Sequence, residues 1–435
     1  MIIKNKNNCK HFANNNCILQ IIVNVIKHHT CQNGLHIITE SNPGVKTVAL
    51  NWGVRAGVAT NNRDGESVLL AELVQRGVRN LSAKEHSDAL DLHGVNRHVS
   101  CGVEFIRITS VLLGNRLSDA ISLLGAFFLH PTLPESDLPA CKSLCLQSIQ
   151  SLADNPSHIA AVELNKNHLP APFNRSAYGT VENIKATTIE QLRQIYADVC
   201  VPNESIVVIS GDVEHHWVVN EIEELVSSWS PGENTKIETS PATGGTHCIK
   251  QDTSQVHLSF AFNAPDATDE NSLLEAVAIS IFGGATSGRL FTQVRQRRSL
   301  CYSVSARYAP SKHYSAVRMN AGTTPERAEE TVQVCLEQLS ELKNGITKEE
   351  FDRTVQRMKS RIVMHGESTA ARAMALWGDQ YALGRTRSLA ERLKELEGVR
   401  FEDVNAWLSQ REFGEITFVY VGPEELNIDK NAFCV

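Results

Sequence analysis

From Asn33 onward the hydrophobic positions settle into regular patterns. Apolar residues at or near every second position mark 48–54, 103–111 and 205–210 as strands, and three-to-four spacing marks helices between them. Asn33-Gly34 supplies a hairpin-type turn ahead of the first strand. Asp64 and Gly65 open a helix carrying Val68, Leu69, Ala71, Glu72 and Leu73, and Gly77 stands where a C-terminal glycine belongs. Ser82 followed by Glu85 is a capping box for a second helix through Leu92, closed by Gly94. A long helix is expected from Asn115, whose side chain can cap the first turn, until Pro131 stops it. Further helices are predicted over 135–153 and 187–199, and the half ends at the turn Gly211-Asp212.

Residues 230–246 are dense in Pro, Gly, Ser and Thr and read as a linker. Beyond it the plan repeats: strand 256–262, helix 271–282, strands 301–308 and 314–321, helices 325–342 and 348–363, then helix 401–408 and strand 416–421. Two similar halves indicate a duplicated domain. The expected fold class is α+β, with two homologous domains, each a mainly antiparallel sheet packed against several helices. The expected division is a disordered or extended segment over 1–32, a first domain over 33–229, the linker, a second domain over 247–425 and a tail over 426–435.

Composition narrows the function. At 435 residues the chain exceeds one ordinary core, and 42% hydrophobic with 21% charged residues is a globular balance. The net charge of -7 argues against a nucleic-acid or anionic-membrane binder, and no run nears the roughly 18 apolar residues of a bilayer span. Eleven cysteines without a Cys-x-x-Cys pair support neither a disulfide framework nor a zinc ribbon. Cys101, Cys141, Cys145, Cys200, Cys301 and Cys335 lie in or beside apolar-periodic segments and read as small buried hydrophobes. The apolar stretch over 17–26 is interrupted by Gln20 and Asn24 and has no small-residue cleavage site after it. Together these features point to a cytoplasmic protein. His28-His29 and His215-His216 read as solvated polar pairs, with weak metal binding as the alternative. The glycine-rich 283–288 follows a helix and lacks a Gly-Lys-Ser/Thr ending, so it reads as a flexible turn rather than a phosphate cradle.

Several local motifs carry a resemblance. They are Asn33-Gly34-Leu35 with Val54-Arg55-Ala56-Gly57, Tyr178-Gly179-Thr180 with Ile184, Ser210-Gly211-Asp212-Val213, and Gly288-Arg289-Leu290-Phe291 through Cys301-Tyr302-Ser303. In these the chain resembles, from about Asn33 to Glu425, the pitrilysin/insulinase zinc-peptidase superfamily, which includes the mitochondrial processing peptidase. The resemblance implies that Arg295 and Tyr302, seven apart, hold a bound peptide near its scissile carbonyl. A surface arginine and a core tyrosine are the plainer alternative.

Catalysis in that superfamily rests on His-x-x-Glu-His, in which two histidines on one helix face grip zinc, the glutamate is general base, and a distant glutamate completes the site. With Gly65 and Gly77 fixing the register, Val68 and Glu72 replace the two histidines and Ala71 replaces the base. The distant acidic pair, placed by the turn Asp154-Asn155-Pro156, reads Gln147-Ser148. Sliding the register by one would make Glu72 the base but would put Leu69 and Leu73 at the histidine positions, and no His-x-x-x-His spacing occurs in the chain. Valine has no lone pair to offer, and Glu72 alone cannot hold a metal. No cofactor is therefore expected in this chain, zinc being expected only in an active partner, and Glu72 is expected to make a structural hydrogen bond or face solvent.

The resemblance thus implies a non-catalytic subunit that binds a peptide or unfolded polypeptide and assists an active zinc-peptidase homologue, or that pairs with itself as a dimer. An assembly protein of a larger complex is the alternative, and a metalloendopeptidase in its own right conflicts with Val68 and Ala71.

Overall fold

The computed structural model describes residues 25–61, 63–233 and 236–434. The first sheet is built from β1 (Val25–Thr30), β2 (His36–Ser41), β3 (Thr47–Val54), β4 (Asn96–Cys101), β5 (Ile106–Leu113) and β6 (Ile206–Gly211). Their order is β1-β2-β6-β3-β5-β4. The second sheet holds β7 (Thr246–Lys250), β8 (Val256–Asn263), β9 (Cys301–Ala309), β10 (Ala316–Thr323) and β11 (Thr417–Gly422), in the order β9-β10-β8-β11-β7. Strands β2 to β6 and β7 to β11 match one for one. In each half the first and last of the five pair in parallel, and the remaining pairings are antiparallel. The duplicated α+β plan is therefore present at the level of strand order and direction.

The first half carries α1 (Glu66–Leu73), α2 (Ala83–Leu92), α3 (Leu117–Leu129), α4 (Leu138–Ala153), α5 (Pro156–His168), α6 (Val181–Ala186), α7 (Ile189–Val199) and α8 (His215–Leu225). The second carries α9 (Ser272–Gly283), α10 (Ala328–Leu342), α11 (Lys348–Gly366), α12 (Thr369–Leu383), α13 (Leu389–Gly398) and α14 (Phe401–Gln410). Val48, Leu50 and Trp52 of β3 face a core with Leu69, Leu124 and Phe128, while Val256, Leu258, Phe260 and Phe262 of β8 face the corresponding core of the second half. The period-two alternation of a strand sends the residues between them to the opposite face, which also needs a cover.

Each half covers that face with a helix from the other. Ala373, Leu376 and Trp377 of α12 pack on Ile38, Ala49 and Val208 of the first sheet, and Leu164 of α5 packs on Ala261 and Val419 of the second. Burying Leu376 and Trp377 contributes about 1.5–3 kcal/mol each. A buried ion pair fixes α12 further: Arg372 holds Glu40 of β2 through Nη2 at 2.6 Å and Nε at 3.0 Å, and Ser210 donates to the same carboxylate at 2.9 Å. The exchange of helices makes the two halves one packed body.

The structure differs from the sequence expectations in places. Strand β4, which reads Asn-Arg-His-Val-Ser-Cys, escaped the pattern because it is an edge strand with few apolar positions. Asn115 is not a cap. It lies in a 3₁₀ turn, Gly114–Arg116, and α3 begins at Leu117 without a side-chain cap. Of the segment 1–32, the first 24 residues lie outside the described ones, while Val25–Thr30 pair antiparallel with β2 across the Asn33-Gly34 turn. In the expected linker, Ser240 bridges to Ala171 and β7 begins at Thr246. Of the six cysteines expected to be buried, five are, and Cys101 is partly so.

Candidate functional site

Helix α1 follows the central strand of the first sheet and is seated by two glycines. Gly65 at its N-cap has φ of +104°, and a Cβ on Gly179 would lie 2.5 Å from the Gly65 Cα, so the two backbones touch. Ile184 of α6 packs over the same point. The segment Tyr178-Gly179-Thr180 is thus a clamp on the start of α1. Most of α1 is inside: Leu69, Leu70, Ala71 and Leu73 are buried, and Val68 is half-buried against the same core.

Glu72 is the half-exposed polar residue of this helix. Its only ion pair among the described residues is a loose one with Arg76, at 3.9 Å. It opens onto a cavity of about 430 Å³ whose far wall is α4, where Gln147 and Ser148 stand with Ser151, and whose rim includes His158 and Tyr178. Of the five positions aligned from sequence with the metal site, Glu72, Gln147 and Ser148 meet around one pocket. Val68 and Ala71 do not line it. Asn155, also on the rim, caps α5 by accepting from the His158 amide.

The donor chemistry of this pocket does not fit zinc. Its lining offers one carboxylate, Glu72, and one imidazole, His158, beside the amides of Gln147 and Asn155 and the hydroxyls of Ser148, Ser151 and Tyr178, and Ser148 already donates to the Leu144 carbonyl at 3.0 Å. One of the two positions where an imidazole would stand, and that of the general base, carry the hydrocarbon side chains of Val68 and Ala71. Among the described residues, no three His, Cys, Asp or Glu donors converge here.

Arg295 and Tyr302 lie elsewhere, in the turn before the edge strand of the second sheet and at that strand's start, and neither lines the pocket. Each is aimed by a backbone irregularity. Arg295 sits in a π-helical turn, Phe291–Gln296, is exposed, and holds its guanidinium 4.9 Å from the Phe291 ring centroid. Tyr302 falls at a β-bulge between Cys301 and Ser303, which turns its ring over the neighbouring strand. A Cβ on Gly322 would lie 2.3 Å from its Cζ, so glycine is what lets the ring lie flat there. The residue is 43% exposed, and partial burial raises its hydroxyl above the usual tyrosine range. Arg295 is close enough to oppose, by its charge, the burial that pushes the Cys301 thiol up to about 11. Tyr302 is thus not the core tyrosine of the plainer alternative.

Sequence reasoning missed Ser151 and His158 of the pocket, since neither belongs to the quoted motifs. The turn before α5, read only as a landmark, in fact brings His158 to the rim.

Residues 186–358 match the family model described as "Peptidase M16 inactive domain". The chain is 27% identical over 395 residues to the uncharacterized zinc protease YmxG of Bacillus subtilis, covering 89% of this chain and 95% of that protein. Its fold is similar to the crystal structure of a peptidase M16 inactive domain from Pseudomonas fluorescens, with TM-score 0.84 at 19% identity, covering 92% of this chain and 98% of that one. It is also similar to a chain of complex III2 from Candida albicans, with TM-score 0.78 at 18% identity, covering 94% and 98%. Within the described residues no helix is long and apolar enough to cross a membrane.

Proposed function

Because this chain belongs to the pitrilysin/insulinase, or M16, peptidase superfamily, we propose that it is a non-catalytic, peptide-binding subunit that assists an active zinc-peptidase partner. The observation that carries this reading is the site between α1 and α4, where Glu72 meets Gln147 and Ser148 around a pocket while one histidine position and the base position carry the hydrocarbon of Val68 and Ala71. The matched segment described as inactive does not include α1, so the reading rests on Val68, Ala71, Gln147 and Ser148 and not on that description. Zinc is accordingly assigned to the partner, as is the activation of water. Arg295 and Tyr302, both exposed and both aimed by irregular backbone, are the residues we assign to the peptide. The nine described cysteines are all unpaired, which supports a reducing, cytoplasmic setting.

The chain alone is expected to leave a broad peptide library intact. Arg295→Ala and Tyr302→Ala are each expected to weaken binding of an extended fluorescent peptide by about tenfold, or roughly 1.4 kcal/mol. Hydrolysis by the isolated chain that a chelator abolishes would overturn the reading. Likeness to a complex III chain favours an assembly role as the second possibility. Unchanged peptide affinity in both variants, with no co-purifying protein bearing His-x-x-Glu-His, would select it.

A further inference from the structure

We propose that His29, Cys31 and Glu223 form a binding site for one divalent cation of zinc's chemical class, separate from the pocket between α1 and α4. One donor atom from each lies within 4.8 Å of the other two, and among the described residues this is the sole group of three such side chains so placed. His29 and Cys31 stand two apart along β1 and the turn that follows, a spacing that sends both to the same face of the strand. Helix α8 crosses that face, and its Glu223 carboxylate accepts from His29 Nε2 at 2.8 Å. None of the three lines the α1–α4 pocket.

The backbone, not the ligands, fixes the spacing. The Cys31 amide donates to the Leu35 carbonyl at 2.9 Å, and the Gly34 amide donates to the Cys31 carbonyl at 2.9 Å. Asn33 in the same turn donates from Nδ2 to the carbonyls of Val226 and Trp229, both at 3.1 Å, tying the turn to the end of α8. Donors held on such a frame are organised before an ion arrives.

The chemistry selects the ion. Imidazole nitrogen, thiolate sulfur and carboxylate oxygen suit zinc and cobalt, whereas magnesium and calcium want oxygen throughout. Bonds of about 2.0–2.3 Å in a tetrahedron place such donors roughly 3.3–3.8 Å apart, so the two outer side chains need only small rotations. The His29 and Glu223 side chains are 34% and 41% exposed, which leaves an access route and room for water as a fourth ligand. Burial and the Glu223 charge push the Cys31 thiol up to about 11. Binding therefore releases the thiol proton to solvent as the sulfur–metal bond forms, and the cation replaces the unfavourable neighbourhood of two anionic groups.

The full-length protein, stripped with chelator, is titrated with Co²⁺ and then with Zn²⁺ in competition. The expected result is one equivalent of Co²⁺ per chain with a thiolate-to-cobalt charge-transfer band. Cys31→Ser should abolish that band, and His29→Gln and Glu223→Gln should weaken Zn²⁺ by at least the roughly tenfold that losing even an outer-shell partner costs. Glu72→Gln should change neither. If Cys31→Ser does not fold by circular dichroism, the two surface variants carry the test. Absence of the band in folded wild-type protein, its survival in Cys31→Ser, or metal loss on Glu72→Gln alone would overturn the site. None of these outcomes depends on peptide cleavage, so the assignment stands or falls apart from the proposed function.

Discussion

Helices α1 and α9 follow the equivalent central strands of the two sheets; α9 carries one carboxylate, Glu275, and α1 carries the buried Glu66 in its first turn and Glu72 near its end, and Glu275 and Glu72 are treated oppositely. Glu275 of α9 is fully buried and answered from α14 and the residue beyond it: Trp407 Nε1 donates at 2.8 Å, and Arg411 approaches through Nε and Nη2 at 3.3 Å each. Glu72 of α1 is half-exposed, loosely paired with Arg76 at 3.9 Å, and fronts open space. A buried charge is tolerable only when paired, so the neighbourhood of Glu275 is committed to structure. That of Glu72 is not. One scaffold therefore closes over its polar group in the second half and leaves a cavity in the first.

The sharpest way to break this contrast is to remove the buried partner. Arg411→Ala leaves Glu275 without its cation and should cost about 3–5 kcal/mol of stability by chemical denaturation. The crossover helix α12 has the same kind of commitment, and Arg372→Ala, which strands the fully buried Glu40, should cost a similar amount. Replacing both members by apolar residues, as in Glu40→Leu with Arg372→Met, should recover much of the loss. A cost below about 1 kcal/mol for either alanine variant would mean that its pair contributes no more than an exposed one.

The other crossover helix, α5, meets the second sheet through Leu164, Asn165 and His168, and it responds to pH instead. His168 Nδ1 lies 2.9 Å from Thr417 Oγ1 of the second sheet, and burial, helped by the Arg318 charge, pulls its pKa down to about 4. The unfolded chain binds a proton near 6.5 that the folded chain refuses. Stability from this residue is thus complete above about 6.5 and is lost as pH falls toward 4, by up to about 3 kcal/mol. Denaturation midpoints measured across that window should fall in the wild type and fall less in His168→Gln. Equal slopes in the two proteins would sink this assignment.

How much of this was legible beforehand follows from what each segment buries. Strands β3 and β8 and helices α2 and α11 announced themselves, since each sets an apolar stripe against its own half and begins or ends with recognisable turn or capping chemistry. Helices α5 and α12 did not. Their covering face meets a sheet from the other half, and polar contacts take part in the docking: Arg372 with Glu40, His168 with Thr417, and Asn165 with Arg318 at 3.0 Å. The alignment of Glu72 with Gln147-Ser148 was readable because glycines and an Asp-x-Pro turn fixed the register. The grouping of His29, Cys31 and Glu223 was not, because two of the three are almost two hundred residues from the third and only the fold brings them together.

The smallest expected effect is the one that most sharpens the comparison of α1 with α9. Glu72→Gln keeps the side chain's size and removes its charge. If the pocket is an open wall and not a core, the change should shift stability by no more than about 0.5 kcal/mol, since a half-exposed carboxylate 3.9 Å from its partner in a single turn of helix is worth little. The matching substitution Glu275→Gln should be several times more costly, because there the charge is what Arg411 and Trp407 were placed to meet. Two denaturation curves decide it: equal losses would make Glu72 as structural as Glu275, and the cavity beside it an incidental gap between α1 and α4.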